Sequence, residues 1–271
     1  MLPNLARLGR YRGLIQSMVA RELTARYRGS VLGFFWSFFN PLLLLLVYSF
    51  VFSYVMPAAH DPRIEPYALF MFCGILPWTW FSSSLSEASG VLISGGNLIK
   101  KVLFPAEILP IVTVLANMVH FFFGLVILAG FLIWYQRPLN ISELALFPVV
   151  VVVQLILTTA FALLLSALTV HFRDIRDILS NLLTFWFFAT PIIYPYFMFV
   201  DPLTGQEKWQ ATLLKLNPFT HLAVTYQEIL FFNGPVGHLK WLLVLGLISI
   251  GFFLFAYWVF DRLRDTFAEG V

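Results

Sequence analysis

Charged residues divide this chain into long apolar blocks. Six long stretches contain no Asp, Glu, Lys or Arg, and they run over residues 29–60, 66–86, 108–136, 144–172, 178–200 and 241–260. Each provides the roughly 20 apolar residues with which an α-helix crosses about 30 Å of hydrocarbon. The pattern predicts an all-α integral membrane protein with six spans, at 34–56, 66–88, 108–134, 145–170, 178–199 and 240–260.

The composition agrees with this pattern. Of the 271 residues, 60% are apolar and 11% are charged, whereas soluble domains are about 45–50% apolar and about 25% charged. The net charge of +3 is too small to indicate nucleic-acid binding. A single cysteine, Cys73, lies in an apolar run and is interpreted as a packing residue. The first apolar run is too long for a cleavable signal peptide.

The distribution of cations predicts the orientation. With the N-terminus inside, twelve of the 17 Lys and Arg residues fall on the cytoplasmic side and five on the outer side, as the positive-inside rule requires. Both termini are therefore predicted to be cytoplasmic, as residues 1–33 and 261–271. The loop 89–105 then lies inside, and the segment 201–238 lies outside.

The region before the first span predicts an amphipathic helix at residues 11–28. One face of it is apolar and consists of Leu14, Ile15, Met18, Val19 and Leu23. Cations lie on the other faces, as is typical of a helix in the membrane interface. Membrane anchoring and binding of a partner explain this pattern equally well.

Small residues follow this helix at intervals of four. Gly29, Gly33 and Ser37 predict a face that allows close helix approach. Asn40 and Pro41 are expected to interrupt the early part of span one. Between them lies a dense aromatic run at the predicted cytoplasmic boundary.

The loop between spans two and three predicts a short helix with Asn97 as its N-cap. An apolar stripe on this helix lies beside Lys100 and Lys101, and Pro105 ends the helix. A bare connector needs neither a cap nor an amphipathic helix, so a docking surface for a cytoplasmic partner is favoured.

Two later segments interrupt the simple pattern. Pro191 and Pro195 predict a break in span five, which marks either a pathway or a packing kink. In the outer segment 201–238, the charge-free runs 216–227 and 229–237 are too short to span. They predict re-entrant or interfacial helices, with an ordered outer loop as the alternative.

A turn of alternating charge, His171 to Asp177, precedes span five. Local pairing of Arg173 and Arg176 with their neighbouring aspartates is the expected arrangement. His171 and Asp174 have a spacing that suits metal ligation, but no further ligand cluster accompanies them.

These motifs together resemble the membrane subunit of bacterial ABC exporters for cell-envelope polysaccharides, the type-2 permeases for O-antigen, capsule and teichoic acid. The resemblance covers nearly the whole chain and rests on five segments in order. They are residues 26–33 with Trp36 and Asn40-Pro41, residues 97–105 with Pro110, Arg173-Asp174, Pro191 to Tyr194, and Asn217-Pro218. Members often carry a basic residue after the tyrosine that follows Asn-Pro, whereas Gln227 follows Tyr226 here.

The resemblance implies a homodimer with twelve helices that assembles with two copies of a separate ATP-binding subunit. The chain itself lacks a phosphate-binding loop, because Gly96 stands where the motif of Gly90 and Gly95 needs lysine. No cofactor is therefore expected on this chain, and ATP with Mg²⁺ is expected on the partner. Contact with that subunit is predicted for the N-terminal helix and the loop after span two, at Arg21, Arg26, Arg28, Asn97, Lys100, Lys101 and Phe104.

The cargo implied by the resemblance is a lipid-linked polysaccharide, most simply an O-antigen glycan that crosses the bacterial inner membrane. Aromatic residues make up 18% of the chain, and their rings can stack weakly and repeatedly on sugar faces, which suits a sliding polymer. We therefore expect channel-lining residues among Trp36, Phe39, Tyr48, Tyr54, Trp186, Tyr194 and Tyr196. Membrane lipids surround the assembly, and no nucleic acid is expected.

Other functions fit the sequence less well than polysaccharide export. An intramembrane serine protease needs a G-x-S-G type turn, but Ser89-Gly90 and Ser94-Gly95 lack the first glycine. An ion-coupled transporter places carboxylates at the middle of its spans, but Glu87 and Glu107 lie at predicted inner ends. A type-2 ABC exporter of another cargo (teichoic acid, capsule, lipid or drug) remains the alternative within the same class.

Overall fold

A computed structural model describes residues 11–55, 61–100, 104–137, 140–200, 206–232 and 236–267, without the side chains of Phe34, Phe52 and Ser53. Throughout these ranges the regular elements are helices. In chain order the α-helices are α1 Arg12–Arg26, α2 Trp36–Phe50, α3 Tyr67–Ser94, α4 Gly96–Ile99, α5 Ile108–Trp134, α6 Ile141–Leu144, α7 Phe147–His171, α8 Ile175–Phe188, α9 Trp209–Leu216, α10 Pro218–Leu230 and α11 Leu239–Leu263.

Four segments in the described part of the chain are long and apolar enough to cross a membrane. They are α3, α5, α7 together with the short α6, and α11. These four correspond to the predicted spans at 66–88, 108–134, 145–170 and 240–260. The bounds of α5 agree with the prediction, but α3 continues to Ser94 and takes up the first part of the predicted loop 89–105.

The predicted first span, 34–56, is a composite. The helix α2 covers 15 residues and continues through Pro41, so the expected interruption at Asn40-Pro41 is wrong. Pro41 lies near the start of α2, where its missing N–H deprives only the carbonyl of Ser37 of an intrahelical donor. A π-helical turn, Val51–Val55, follows α2.

The glycines before α2 allow backbone conformations that other residues rarely adopt. Gly29 has φ +80° and Gly33 has φ +50°, and a Cβ at either position would have nothing within 4 Å. Their predicted role in close helix packing is therefore wrong, since they form the left-handed turns that join α1 to α2. Ser37 alone of the three small residues is buried, at 4% exposure.

The predicted fifth span, 178–199, is broken. The helix α8 ends at Phe188, and a non-helical connection carries Pro191 and Pro195 to a short 3₁₀ turn at Tyr196–Phe199. The prolines therefore end the helix as the sequence predicts.

Beyond this break, two helices replace the predicted runs 216–227 and 229–237. Pro218 is the first residue of α10, where its fixed φ favours helix and no donor is lost. The helix α10 is almost wholly buried and packs on α3, α7 and α11. Residues 201–205 and 233–235 of the predicted outer segment lie outside the described residues.

An aromatic cluster joins α10 to the long helices. Trp78 and Phe81 of α3 surround Phe219 of α10, with ring centroids 5.0 and 4.9 Å apart. Trp186 of α8 packs on Phe81 at 5.3 Å and on Phe161 of α7 at 5.7 Å. Edge-to-face contacts of this kind add to the free energy gained from burial, so four helices share one core.

Asn217, between α9 and α10, connects this cluster to the end of α8. Its Oδ1 accepts from Phe219 N at 3.0 Å, which caps α10, and from Trp186 Nε1 at 2.7 Å. Its Nδ2 donates to Ala189 O at 3.1 Å and to Thr190 Oγ1 at 2.9 Å. One side-chain amide thus caps α10, bonds to the indole of Trp186 and bonds to the backbone just after α8.

We expect Asn217→Ala to destabilise the protein by about 2–3 kcal/mol, because it removes the helix cap and leaves the indole and amide partners without their bonds. Asn140→Ala is the matched control, since the side chain of Asn140 also caps a helix but, among the described residues, bonds to Ser142 alone. Its loss should cost about 0.5–1 kcal/mol. Unfolding in mixed detergent micelles measures both, and equal losses would contradict this role of Asn217.

Candidate functional site

The first candidate site is a cavity of about 610 Å³ between the α1–α2 connection, α3 and α5. Its walls are mixed. Leu44, Leu76, Trp80 and Phe121 form apolar surface, while the polar lining is Arg26, Tyr27, Ser30, Ser37, Asn40, Thr79, Ser83, Glu87, Asn117 and His120. A polar cavity among apolar helices is a usual location for function in a membrane protein.

A charged network lies on one side of this cavity. Arg26 of α1 donates to Glu87 Oε2 of α3 at 2.7 Å and to Asn117 Oδ1 of α5 at 3.1 Å. Asn117 Nδ2 donates to the same Glu87 oxygen at 2.8 Å. The guanidinium thus satisfies a carboxylate on a helix that spans apolar surroundings, and it fastens α1 to α3 and α5.

A second, uncharged chain of contacts lies beside the first. The hydroxyl oxygen of Tyr27 is 2.9 Å from Ser37 Oγ and 3.4 Å from His120 Nδ1. Trp36 Nε1 donates to Ser30 Oγ at 3.0 Å. These bonds fix the start of α2 against α5, and they place the indole of Trp36 in the cavity wall.

The aromatic residues predicted to line a channel do not form one group. Phe39 and Tyr54 are exposed, at 41% and 78%, on α2 and just beyond it. Tyr48 is half-buried and packs on the core. Trp186 belongs to the aromatic cluster described above, where its indole is bonded to Asn217.

The last two predicted aromatics lie beyond the end of α8. The hydroxyl group of Tyr194 donates to Phe188 O at 3.0 Å. The ring of Tyr196 meets His238 edge-on at 4.8 Å, and its hydroxyl group is 3.4 Å from Glu207. The channel role of all seven residues stays a prediction.

Some residues predicted to contact the ATPase subunit are exposed, whereas Arg26 contacts other helices of this chain. Arg21 and Arg28 are exposed and line an open groove of about 740 Å³ beside α1. Lys100 is also exposed, and Lys101 lies outside the described residues. Arg26 instead turns towards α3 and α5.

Two of the residues predicted to contact the ATPase subunit, Asn97 and Phe104, lie in or near the short helix α4. Asn97 lies inside α4, whose N-cap is Gly95, so the predicted cap is wrong. The reason is that α3 continues to Ser94 and leaves no turn in which Asn97 could act. Phe104 is half-buried and packs on the cluster formed by the ends of α1, α5, α7 and α11.

Several contacts at this end of the molecule escaped sequence analysis. Arg264, just after α11, pairs with the buried Glu107 at 3.7 Å. Thr266 Oγ1 is 3.2 Å from His171 Nε2, and Phe267 is fully buried against Phe260. The available signal was one apolar residue, Phe267, after three polar residues. It was too short to interpret without a partner surface.

Gln227, which follows Tyr226, is also buried. It is 1% exposed, and its Nε2 donates to Pro191 O at 3.0 Å. A Cβ on Gly74 would lie 3.2 Å from this amide nitrogen, so glycine permits the close approach. Gln227 thus binds α10 to the broken segment.

The turn from His171 to Asp177 differs from expectation. Among the described residues, no carboxylate lies within ion-pair distance of Arg173 or Arg176, so the predicted local pairing with Asp174 and Asp177 is wrong. These four side chains are exposed. A search of the same residues for three or more potential metal ligands in one place found none.

The described residues form a helical protein with four segments that could cross a membrane and with a polar cavity between them. Comparison with known proteins specifies the class. Residues 13–231 match the family model described as ABC-2 type transporter. The chain therefore belongs to the ABC-2 transporter family as a membrane subunit, which is not itself an enzyme and which works with an ATPase subunit.

Curated relatives align over almost the full length. The chain is 40% identical over 265 residues to the O-antigen export system permease protein RfbA of Myxococcus xanthus, covering 97% of each chain. Two proteins of that name from Klebsiella pneumoniae are 29% and 28% identical, each covering 97% of this chain and 96% of their own. The aligned region includes the cavity and the helices around it.

A double-mutant cycle tests the charged network. We expect Arg26→Ala and Glu87→Ala each to destabilise the protein, with a coupling energy of about 1 kcal/mol, because the pair is partly exposed. Arg21→Ala is the control, as Arg21 lies on the same helix and forms no bond with Glu87. Additive effects of the Arg26 and Glu87 changes on detergent unfolding would show that the pair does not hold α1.

Proposed function

We propose that this chain is the permease of an ATP-driven exporter that moves a lipid-linked, O-antigen-type polysaccharide across the bacterial inner membrane. The observation that carries the proposal is the 40% identity over 97% of both chains with an O-antigen export permease. An alignment of this extent includes α1 and the α4 region, so it covers the coupling elements as well as the spans.

Six crossings with both termini in the cytoplasm complete this proposal. The helix α2 and its π-helical turn supply one crossing, and α8 with the proline segment supplies the other. In favour of a re-entrant pair formed by α9 and α10, Asn217 at their junction lies beside Trp186 in the core. Phe231, at the far end of α10, packs on Phe70 near the start of α3. The chain thus enters the core and returns towards the side that it left.

The transport unit contains two copies of this chain and two ATPase subunits, which bind ATP and Mg²⁺. One copy alone leaves an apolar stripe of α2 exposed, including Leu43, Val47 and Phe50 at 47%, 55% and 60%. The helix α8 also exposes hydroxyl groups, those of Ser180 and Thr184. Hydroxyls are costly against lipid but suit the wall of a polar conduit, and a second copy encloses such a conduit.

Coupling to the ATPase subunit runs through α1 and α4. Arg21, Arg28 and Lys100 face outwards as docking residues. Arg26 transmits the position of α1 to α3 and α5 through Glu87 and Asn117. Asn97, Lys101 and Phe104 complete the proposed coupling surface.

Export of O-antigen tests the cargo. In the source bacterium, deletion of this chain should remove O-antigen from surface lipopolysaccharide and cause lipid-linked glycan to accumulate inside the cell. Gel profiles of lipopolysaccharide and mass spectrometry of the lipid-linked glycans measure both. Replacement of the phosphate-loop lysine in the ATPase partner should give the same phenotype. An unchanged lipopolysaccharide profile, with loss of another surface polymer, would favour the teichoic acid or capsule alternative.

The aromatic track is tested by substitution on its most exposed member. We expect Tyr54→Ala to slow export roughly two- to fivefold, because one weak ring contact is worth about 0.5–1 kcal/mol. Trp134→Ala is the control, since Trp134 is equally exposed, at 81%, but lies outside the track. Export should be measured at equal expression and equal ATPase activity, and equal effects of the two changes would argue against stacking at Tyr54.

A further inference from the structure

A second cavity, of about 460 Å³, lies where the Ser94 end of α3 meets the turn between α7 and α8. Gly90 and Ser94 line it from α3, and Arg173 and Arg176 line it from the turn and α8. In the proposed orientation it opens at the cytoplasmic surface of the membrane.

The two guanidinium groups lack a counter-ion. Asp177 also lines the cavity, but no carboxylate in the described ranges lies within ion-pair distance of either arginine. The cavity therefore keeps a net positive charge. Arginine binds phosphate oxygens through two parallel N–H bonds, so an unpaired pair of this kind matches a phosphate or diphosphate group.

Gly90 positions one of these groups. A Cβ on Gly90 would lie 3.7 Å from Arg176 Cζ and from its Nη1. The exposed guanidinium therefore lies close to the backbone of α3 at Gly90, and a side chain larger than alanine at residue 90 would meet it.

Above the arginines, the seam between α3 and α8 is lined by hydroxyl groups. A cavity of about 310 Å³ is bounded there by Ser82 and Ser86 of α3, by Ser180 and Thr184 of α8, and by the apolar residues Trp78, Leu183 and Phe187. The two serines of α3 precede Gly90, and the two hydroxyl residues of α8 follow Arg176, at intervals of four, so they continue the same faces. Serine and threonine both donate and accept, as sugar hydroxyls do.

The opposite side of α8 is apolar. Ile178, Leu182 and Phe185 are 62%, 49% and 71% exposed and recur at helical spacing. A ligand at the arginines can therefore extend an apolar chain towards lipid and a polar chain along the hydroxyl seam. Phosphate, apolar chain and glycan are the three parts of a lipid-linked saccharide.

We infer that the cavity at Arg173 and Arg176 binds the phosphate or diphosphate group of the lipid-linked cargo on the cytoplasmic side, with the glycan directed along the α3–α8 seam. This inference rests on the proposed function for the direction of transport. The chemistry recognised is a phosphate ester on an apolar chain.

Binding can be measured with the intact complex of this chain and its ATPase in phosphatidylcholine nanodiscs, with radiolabelled geranylgeranyl diphosphate as the probe. The double variant R173Q/R176Q should raise the Kd about tenfold or more, since both charge-assisted contacts are lost. R176K should have an intermediate effect, and Gly90→Leu should weaken binding without removing charge. R12Q/R262Q removes two other charges and should leave the Kd unchanged.

An unchanged Kd for R173Q/R176Q would overturn the inference. Inorganic diphosphate that competed as well as the probe would also overturn it, because the site would then recognise free phosphate. If R173Q/R176Q instead released the ATPase subunit during purification, the arginines would be a protein-docking surface, and the inference would fail.

The proposed cargo is tested independently of the phosphate site. If the probe binds through Arg173 and Arg176 but deletion of the chain leaves surface O-antigen intact, the phosphate site stands and the O-antigen cargo is wrong. If deletion abolishes O-antigen export while the double variant binds the probe normally, the cargo stands and the phosphate site is wrong.

Discussion

The structure depends on the hydrogen bonds of one half-buried amide. Apolar surroundings contain no water to satisfy a polar group, so each must find a protein partner. Asn217 satisfies the cap of α10, the indole of Trp186 and the backbone at Ala189 together. Because the bonds meet at the aromatic cluster, the position of the broken helix α8 is fixed relative to α3 and α10. These contacts therefore set the spacing between α3 and α8.

The same requirement explains the other polar contacts within the bundle. Gln154 of α7 donates to Pro77 O at 2.8 Å, and Gln227 donates to Pro191 O. Each amide donates to the carbonyl group of a proline, Pro77 within α3 and Pro191 in the connection after α8. Glu87 is satisfied in the same way by Arg26 and Asn117. Polar side chains here connect helices because lipid cannot hydrate them.

The pattern of apolar and charged residues predicted those helices whose ends are marked by a charged residue or by a proline. The bounds of α5 follow from Glu107 and the apolar run after it, and Pro191 marks the end of α8. The burial of α10 was not predictable, because a run of twelve uncharged residues fits a surface loop equally well. At the candidate site, contact with the ATPase subunit was predicted for Arg21 and Arg26 of α1, and that role stays a prediction. That Arg26 pairs with Glu87, 61 positions away, depends on how three helices pack, which no local pattern specifies.

The continuity of α3 has a mechanical consequence. Its 28 residues give a rod about 42 Å long, held at Pro77 by Gln154 and followed without a flexible linker by α4. A rod of that length converts rotation into displacement: a tilt of about 5° about Pro77 moves the Ser94 end by roughly 2 Å and the Tyr67 end by roughly 1 Å in the opposite direction. The motion of a motor beneath the membrane thereby reaches the opposite surface, with no part of the helix needing to unwind.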